Sequence, residues 1–135
     1  MVSGSCLCGE LTYQVRLYAD KIFNCHCRFC RKAHGADYVT LALADANTLT
    51  LVDHKKLLRE HKNSLGGYRA FCACCGTRLM NYGPDKNKYL SIVVNTLDTA
   101  LSHYPVAHCN TESKAPWCEP YEGIASFEAF PPLGK

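Results

Sequence analysis

Seven of the ten cysteines in this 135-residue chain fall in three short groups, and their spacing restricts the fold more than any other feature of the sequence. The groups are a first pair (Cys6 and Cys8), a triplet (Cys25, Cys27 and Cys30) and a second pair (Cys72 and Cys75). Cysteines this close together are strained as disulfide partners, whereas their sulfurs can bind one metal ion jointly. The spacing therefore favours metal ligation.

The N-terminal segment agrees with cysteines that are reduced rather than paired in disulfides. The N-terminal segment MVSGSCLCGE lacks the charged and then apolar pattern of a secretory signal, so we expect a cytoplasmic protein. No apolar run approaches the roughly 20 residues of a membrane span. The net charge of +3 comes from mostly scattered basic residues rather than one basic face. We therefore expect neither a membrane nor a nucleic-acid partner.

Period-two alternation predicts a mainly β domain. In ELTYQVRL (residues 10–17), apolar and polar side chains alternate as in a half-buried strand. Similar segments rich in β-branched and aromatic residues occur at 37–44, 47–52, 67–72, 76–82 and 88–95. We predict one domain over residues 1–135, built from antiparallel strands with little helix.

Three segments do not follow this pattern. A brief helix is predicted from Arg28 to His34, ended by Gly35. The segment DHKKLLREHK (residues 53–62) suits a short helix as well as a strand. From Pro105 onward, prolines predict irregular coil; they are Pro105, Pro116, Pro120, Pro131 and Pro132.

Zinc chemistry allows two ways of combining the cysteine groups. Structural zinc has four ligands in a tetrahedron, whereas catalytic zinc keeps one open position. The two pairs together would form a closed site and leave the triplet with an open one. Alternatively, Cys27 and Cys30 could join the second pair in a purely structural zinc ribbon. The spacing alone does not choose between them.

Three segments resemble the glutathione-dependent formaldehyde-activating enzyme family, which shares its domain with centromere protein V. They are GSCLCGELTYQV, NCHCRFCRKAHGA and FCACCGTRL; the later KAPWCEPYEGIASFEAFP is similar to the family's C-terminal pattern. The resemblance implies a tent of short antiparallel sheets stapled by zinc. It also implies two zinc ions per chain, a structural one on the two pairs and a catalytic one on the triplet.

The family resemblance also implies a function. It suggests a zinc-dependent carbon–sulfur lyase acting on an adduct of a glutathione-type thiol and an aldehyde, similar to S-(hydroxymethyl)glutathione synthase. A thiol entering the open position would lose its proton to become a zinc ligand. Arg28 and Arg31, with Lys32, are hypothesised to bind the carboxylates of such a substrate. The alternatives are a non-catalytic zinc-binding interaction domain and a thiol-rich metal-handling protein.

The remaining candidate residues are expected to have structural roles. Alternation in an extended segment points His26 away from the metal, and Cys74 is expected to face away as well. Cys109 and Cys118 are interpreted as small buried hydrophobes, although either could supply a fourth ligand to the triplet. Trp117 is interpreted as a packing anchor for the tail.

Overall fold

The computed structural model describes residues 1–130, and strands dominate this part of the chain. The predicted mainly β class with little helix is confirmed. Pro131 and Pro132, which belong to the predicted coil, lie outside the described residues. No helix among the described residues is long and apolar enough to cross a bilayer.

Residues 1–130 contain nine strands and one α-helix. They are β1 (Val2–Ser5), β2 (Thr12–Cys25), α1 (Arg28–His34), β3 (Val39–Val52), β4 (Leu58–Lys62), β5 (Tyr68–Cys72), β6 (Arg78–Tyr82), β7 (Leu90–Val93), β8 (Ala107–Cys109) and β9 (Ala125–Ser126). Short 3-10 turns occupy Val94–Thr96 and Thr111–Ser113. The segment that suited either a helix or a strand, residues 53–62, ends in β4.

Contacts within the chain divide it into two compact units. The first comprises Met1–Tyr18 and Ala42–Ser102; the second comprises Ala19–Leu41 and the chain from His103 onward. Strands β2 and β3 contribute residues to both units. The single domain over residues 1–135 stays a prediction.

The first unit is built on antiparallel pairs and one apolar core. Strand β1 pairs with β2, and β4, β5, β6 and β7 pair in sequence order. Tyr13 and Val15 of β2 are buried while the adjacent Thr12 and Gln14 are exposed, as the alternation predicts. The fully buried core members around them include Leu11, Leu79, Met80 and Ile92. Burying each such side chain contributes about 1.5–3 kcal/mol.

The second unit contains two parallel pairs that the sequence did not predict. Strand β8 pairs with β2, placing Phe23 opposite Ala107 and Cys25 opposite Cys109, and β9 pairs with β8. The prediction of coil from Pro105 onward is therefore wrong at β8 and β9. Both strands lie between prolines, so no ladder hydrogen bond is lost to a missing amide. The segment between β8 and β9 is long enough for the crossover that a parallel pair requires.

Helix α1 confirms the predicted boundaries at both ends. Cys27 is its N-cap, and its sulfur accepts a hydrogen bond from the Cys30 amide at 3.3 Å. Gly35 ends the helix with a left-handed φ of 59°, which glycine adopts without steric cost. The Gly35 amide donates to the Arg31 carbonyl.

Candidate metal centres

The first unit brings together both cysteine pairs. The sulfurs of Cys6, Cys8, Cys72 and Cys75 all lie within 4.8 Å of one another. Cys6 and Cys8 come from the connection between β1 and β2, whereas Cys72 ends β5 and Cys75 precedes β6. Four thiols at this separation can surround one metal ion.

Two similar turns hold these four sulfurs. The amide of Gly9 donates to the Cys6 carbonyl at 3.0 Å, and the amide of Gly76 donates to the Cys72 carbonyl at 2.8 Å. Both glycines have positive φ angles, 82° and 77°, in the region that other residues rarely adopt. The spacing C-x-C-G and C-x-x-C-G therefore encodes a turn as well as the ligand positions.

Hydrogen bonds to sulfur in this four-sulfur group favour the thiolate form that binds metal. The Leu11 amide donates to the Cys6 sulfur at 3.4 Å. The Thr77 hydroxyl lies 3.2 Å from the Cys75 sulfur and is the main cause that lowers the pKa of Cys75 to about 5. Donors of this kind favour thiolate over thiol. An all-sulfur donor set with thiolate character fits zinc rather than calcium or magnesium, which prefer oxygen.

The second unit holds the triplet. Cys25 ends β2, Cys27 is the N-cap of α1, and Cys30 lies one turn into that helix. Their sulfurs also lie within 4.8 Å of one another, and no other cysteine, histidine or carboxylate among residues 1–130 belongs to this group. The sulfurs of Cys27 and Cys30 therefore group with Cys25.

The triplet has one sulfur close by that is not a member. Cys109 is fully buried, as predicted, and stands opposite Cys25 in the parallel pair of β2 and β8. The neighbouring Cys109 is the main cause that lowers the pKa of Cys25, followed by Cys27 and Cys30. Cys118 is only half-buried, so the prediction that it is a buried hydrophobe is wrong.

A cleft of about 300 Å³ opens beside helix α1. Its basic wall consists of Arg28, Arg31 and Lys32, and Trp117 also lines it. The indole of Trp117 donates to the Asp37 carboxylate at 2.8 Å, while 74% of the residue is exposed. The prediction that Trp117 is a packing anchor is therefore wrong, because most of its surface faces solvent.

Comparison with known proteins supports the resemblance found in the sequence. The family model described as glutathione-dependent formaldehyde-activating enzyme matches residues 1–113. The chain belongs to the glutathione-dependent formaldehyde-activating enzyme family. This match contains all seven cysteines of the two groups. No curated protein matches the chain.

A solved structure shares the fold of this family member. It is a crystal structure of a Rhodobacter sphaeroides protein from a structural genomics programme, with a TM-score of 0.60 and 23% sequence identity. The match covers 74% of the present chain and 91% of the other. At this identity the similarity concerns the fold alone.

The family member also contains a buried polar network that the sequence analysis did not identify. The amide of Asn24 donates to the Tyr121 hydroxyl at 2.9 Å and lies 3.4 Å from Nδ1 of His108. Since Nε2 of His108 lies 2.8 Å from the Tyr121 carbonyl, Nε2 carries the proton and Nδ1 accepts. The network brings the segment before the triplet together with the tail.

His26 lies at the edge of this network. It is fully buried, its ring is 4.8 Å from that of Tyr38, and neither ring nitrogen has a hydrogen-bond partner among the described residues. Its nitrogens do not join the sulfurs of the triplet, in agreement with the expectation that it is not a ligand. Burial lowers the pKa of His26, which keeps the ring neutral.

Proposed function

We propose that this protein is a zinc-dependent carbon–sulfur lyase that acts on the adduct of a glutathione-type thiol and an aldehyde. The observation that carries the proposal is the difference between the two sulfur groups. One has four sulfurs, enough for a closed structural zinc, and the other has three. A three-sulfur site leaves a coordination position for a small molecule.

The donor set of the triplet fits zinc. Its three ligand atoms are sulfurs, and two of these sulfurs accept hydrogen bonds from amides. Zinc bound there would favour the thiolate form of a substrate sulfur. The two pairs would hold a second, structural zinc, which gives two ions per chain.

The cleft beside α1 supplies binding groups for an acidic thiol such as glutathione. Arg28 and Lys32 are exposed, and both line the cleft. Arg31 already has one partner within the chain, because its Nη1 donates to the Ser113 carbonyl at 2.7 Å. Guanidinium and ammonium groups hydrogen-bond strongly to carboxylates, so these three side chains are suited to the two carboxylates of glutathione. Helix α1 connects the basic wall to Cys27 and Cys30 directly.

The reaction needs no external oxidant or reductant. In the forward direction the substrate sulfur forms a bond to the carbonyl carbon, and the hydrogen of the thiol ends on the carbonyl oxygen. In the reverse direction the carbon–sulfur bond breaks and the thiol and aldehyde are released. The chain's contribution is to hold the sulfur and to orient the acidic groups of the substrate.

Exchange NMR on glutathione mixed with formaldehyde tests the proposal, because adduct formation and breakdown occur at equilibrium. The zinc-loaded protein is expected to accelerate this exchange. Cys27→Ser should abolish the acceleration while keeping the helix, since serine is a good N-cap. Cys74→Ser, at an exposed cysteine outside both groups, is the matched control and should keep it. No acceleration by the fully loaded wild-type protein would refute the lyase function.

A further inference from the structure

One acidic side chain lines the cleft beside α1 together with the three side chains of its basic wall. Asp37 lies shortly after the end of the helix and shares the cleft with Arg28, Arg31 and Lys32. The indole of Trp117 donates to Oδ1 of Asp37 at 2.8 Å, which holds the carboxylate at the cleft. Among residues 1–130, no hydrogen bond or ion pair involves its Oδ2. Asp37 therefore keeps one acceptor oxygen for a ligand.

The cleft carries charges of both signs that do not pair with each other. Arg28 and Lys32 are exposed, and within the part of the chain that the structure describes neither forms an ion pair with Asp37. A ligand with carboxylates alone would be matched by the basic wall alone. A zwitterionic ligand is matched by both signs, because each of its charges then meets an opposite one.

We propose that Asp37 is a specificity-determining residue that binds the ammonium group at the γ-glutamyl end of a glutathione-type substrate. The proposal rests on the proposed function, which places the acidic groups of the substrate in this cleft. At neutral pH glutathione carries an ammonium group as well as its two carboxylates. At the γ-glutamyl end the ammonium and one carboxylate share a carbon atom, so this end requires an acidic and a basic partner close together. The cleft supplies both.

The size of the cleft and its position on α1 suit this end of the substrate. Its volume of about 300 Å³ is at the lower limit for small-molecule sites, so it suits one end of a tripeptide rather than the whole. From Cys30 to Gly35 the helix advances by about 7.5 Å. Two extended residues span about 7 Å. The arm between the sulfur and the ammonium of glutathione is longer, since it runs through the side chains of both cysteine and glutamate.

Two thiols that differ only in the ammonium group test the role of Asp37. Glutaryl-cysteinylglycine has a hydrogen in place of this group and keeps both carboxylates and the thiol. In isothermal titration, the zinc-loaded wild-type protein should bind glutathione about tenfold more tightly than this analogue, as expected for a charge-assisted hydrogen bond. In Asp37→Asn the ratio of the two affinities should fall to near one, because the single amide oxygen remains bonded to the Trp117 indole.

The matched control is Asp20→Asn, which removes the same charge from an exposed position outside the cleft. Its ratio of affinities should equal that of the wild type. A wild-type ratio near one, or the same fall in both variants, would overturn the proposal. So would an equal loss of affinity for the two thiols in Asp37→Asn, since Asp37 would then support the cleft without sensing the ammonium.

Exchange NMR distinguishes the failure of this proposal from the failure of the proposed function. If the wild type accelerates adduct exchange but binds both thiols equally, only the role of Asp37 is overturned. If the discrimination disappears in Asp37→Asn but the wild type gives no acceleration, the lyase function fails and the ammonium site stands. If glutathione neither binds nor exchanges faster, both proposals fail.

Discussion

The sulfur of Cys27 accepts a hydrogen bond from the amide of Cys30 at 3.3 Å, so one side chain both caps helix α1 and belongs to the triplet. The helix and the sulfur group are therefore built from the same local geometry. An N-cap side chain satisfies an amide that the helix leaves unpaired. Here the same bond also orients the Cys27 sulfur, which belongs to the triplet.

Substitution of Cys27 should separate its two roles. Cys27→Ala removes both the sulfur and the cap, whereas Cys27→Ser removes only the sulfur. In the metal-free proteins the free energy of unfolding should be about 1 kcal/mol lower for Cys27→Ala than for Cys27→Ser, as measured by urea denaturation. Both variants should lose metal from the triplet. Equal stability of the two variants would show that Cys27 does not act as a cap.

Loss of the four-sulfur group should be far more damaging than loss of the triplet. Structural zinc contributes about 10–16 kcal/mol in small zinc domains, which is comparable to the whole stability of an ordinary domain. We therefore expect Cys72→Ser to abolish cooperative unfolding and to give unfolded or aggregated protein. Circular dichroism and zinc analysis after gel filtration measure both effects. The neighbouring Cys74→Ser is the control; a folded Cys72→Ser with only one zinc lost would contradict a structural role.

The candidate metal sites were more predictable than the strands that support them. The helix from Arg28 to Gly35 and the turns at Gly9 and Gly76 depend on local signals, namely a cap, a positive φ and a short cysteine spacing. Those signals can be read from the sequence without knowledge of the rest of the chain. The cysteine groups were identified for the same reason.

Strand β3 contains residues that are typical of a turn. The segment Asp45–Asn47 resembles a turn, so two strands were predicted where the structure has one. The Asp45 carboxylate accepts hydrogen bonds from the Asn47 amide at 3.0 Å and from Arg16 at 2.6 Å. These bonds allow the turn-forming residues to remain within the strand.

The neighbours of the triplet depend on a contact between distant parts of the chain. Cys109 stands opposite Cys25, and Asn110 donates to the Cys25 sulfur, because β8 pairs in parallel with β2. Strand β8 has only three residues and all three are buried, so its sequence shows no period-two alternation. The exposure of Trp117 likewise depends on the path of the tail, which local sequence signals do not reveal.

The buried hydroxyl of Tyr13 gives a prediction for alkaline pH. Tyr13 and Thr96 are 2.6 Å apart, and since the Thr96 hydroxyl donates to the Val93 carbonyl, Tyr13 is the donor to Thr96. Burial raises the pKa of Tyr13 to about 12 from the ordinary value of 10.0. The folded state therefore holds this proton between those values while the unfolded state releases it. Stability from this group is complete below pH 10 and is lost as the pH rises towards 12.

The variant Tyr13→Phe should remove that part of the pH dependence. Near pH 7 it should lower the free energy of unfolding by about 1 kcal/mol through the lost hydrogen bond. Between pH 10 and about 12 the difference between the variant and the wild type should shrink, as followed by urea denaturation at several pH values. A constant difference across this range would show that Tyr13 does not titrate with a raised pKa.

The close approach of Gly4 to Tyr13 gives a steric prediction. A Cβ at position 4 would overlap the Tyr13 ring and lie 2.6 Å from the Thr96 carbonyl oxygen. Since that oxygen belongs to the backbone, relief requires movement of the chain itself, and Gly4→Ala should lower the free energy of unfolding by about 1–3 kcal/mol. In Gly4→Ala/Tyr13→Phe the clash with the ring remains, so the loss should persist. Full recovery in the double variant would mean that only the hydroxyl is crowded.

The basic wall of the cleft should determine how tightly glutathione binds rather than the rate of the reaction. Arg28 is exposed and lines the cleft, so Arg28→Ala should weaken the binding of glutathione about tenfold or more, as expected for a lost charge-assisted hydrogen bond. Arg28→Lys should lose less, because the charge remains. Zinc content should be unchanged in both, since Arg28 is not a ligand. The control is Lys88→Ala, which removes the same charge from an exposed position outside the cleft. Isothermal titration with glutathione compares the variants, and an equal loss in Lys88→Ala would mean that overall charge, not the cleft, attracts glutathione.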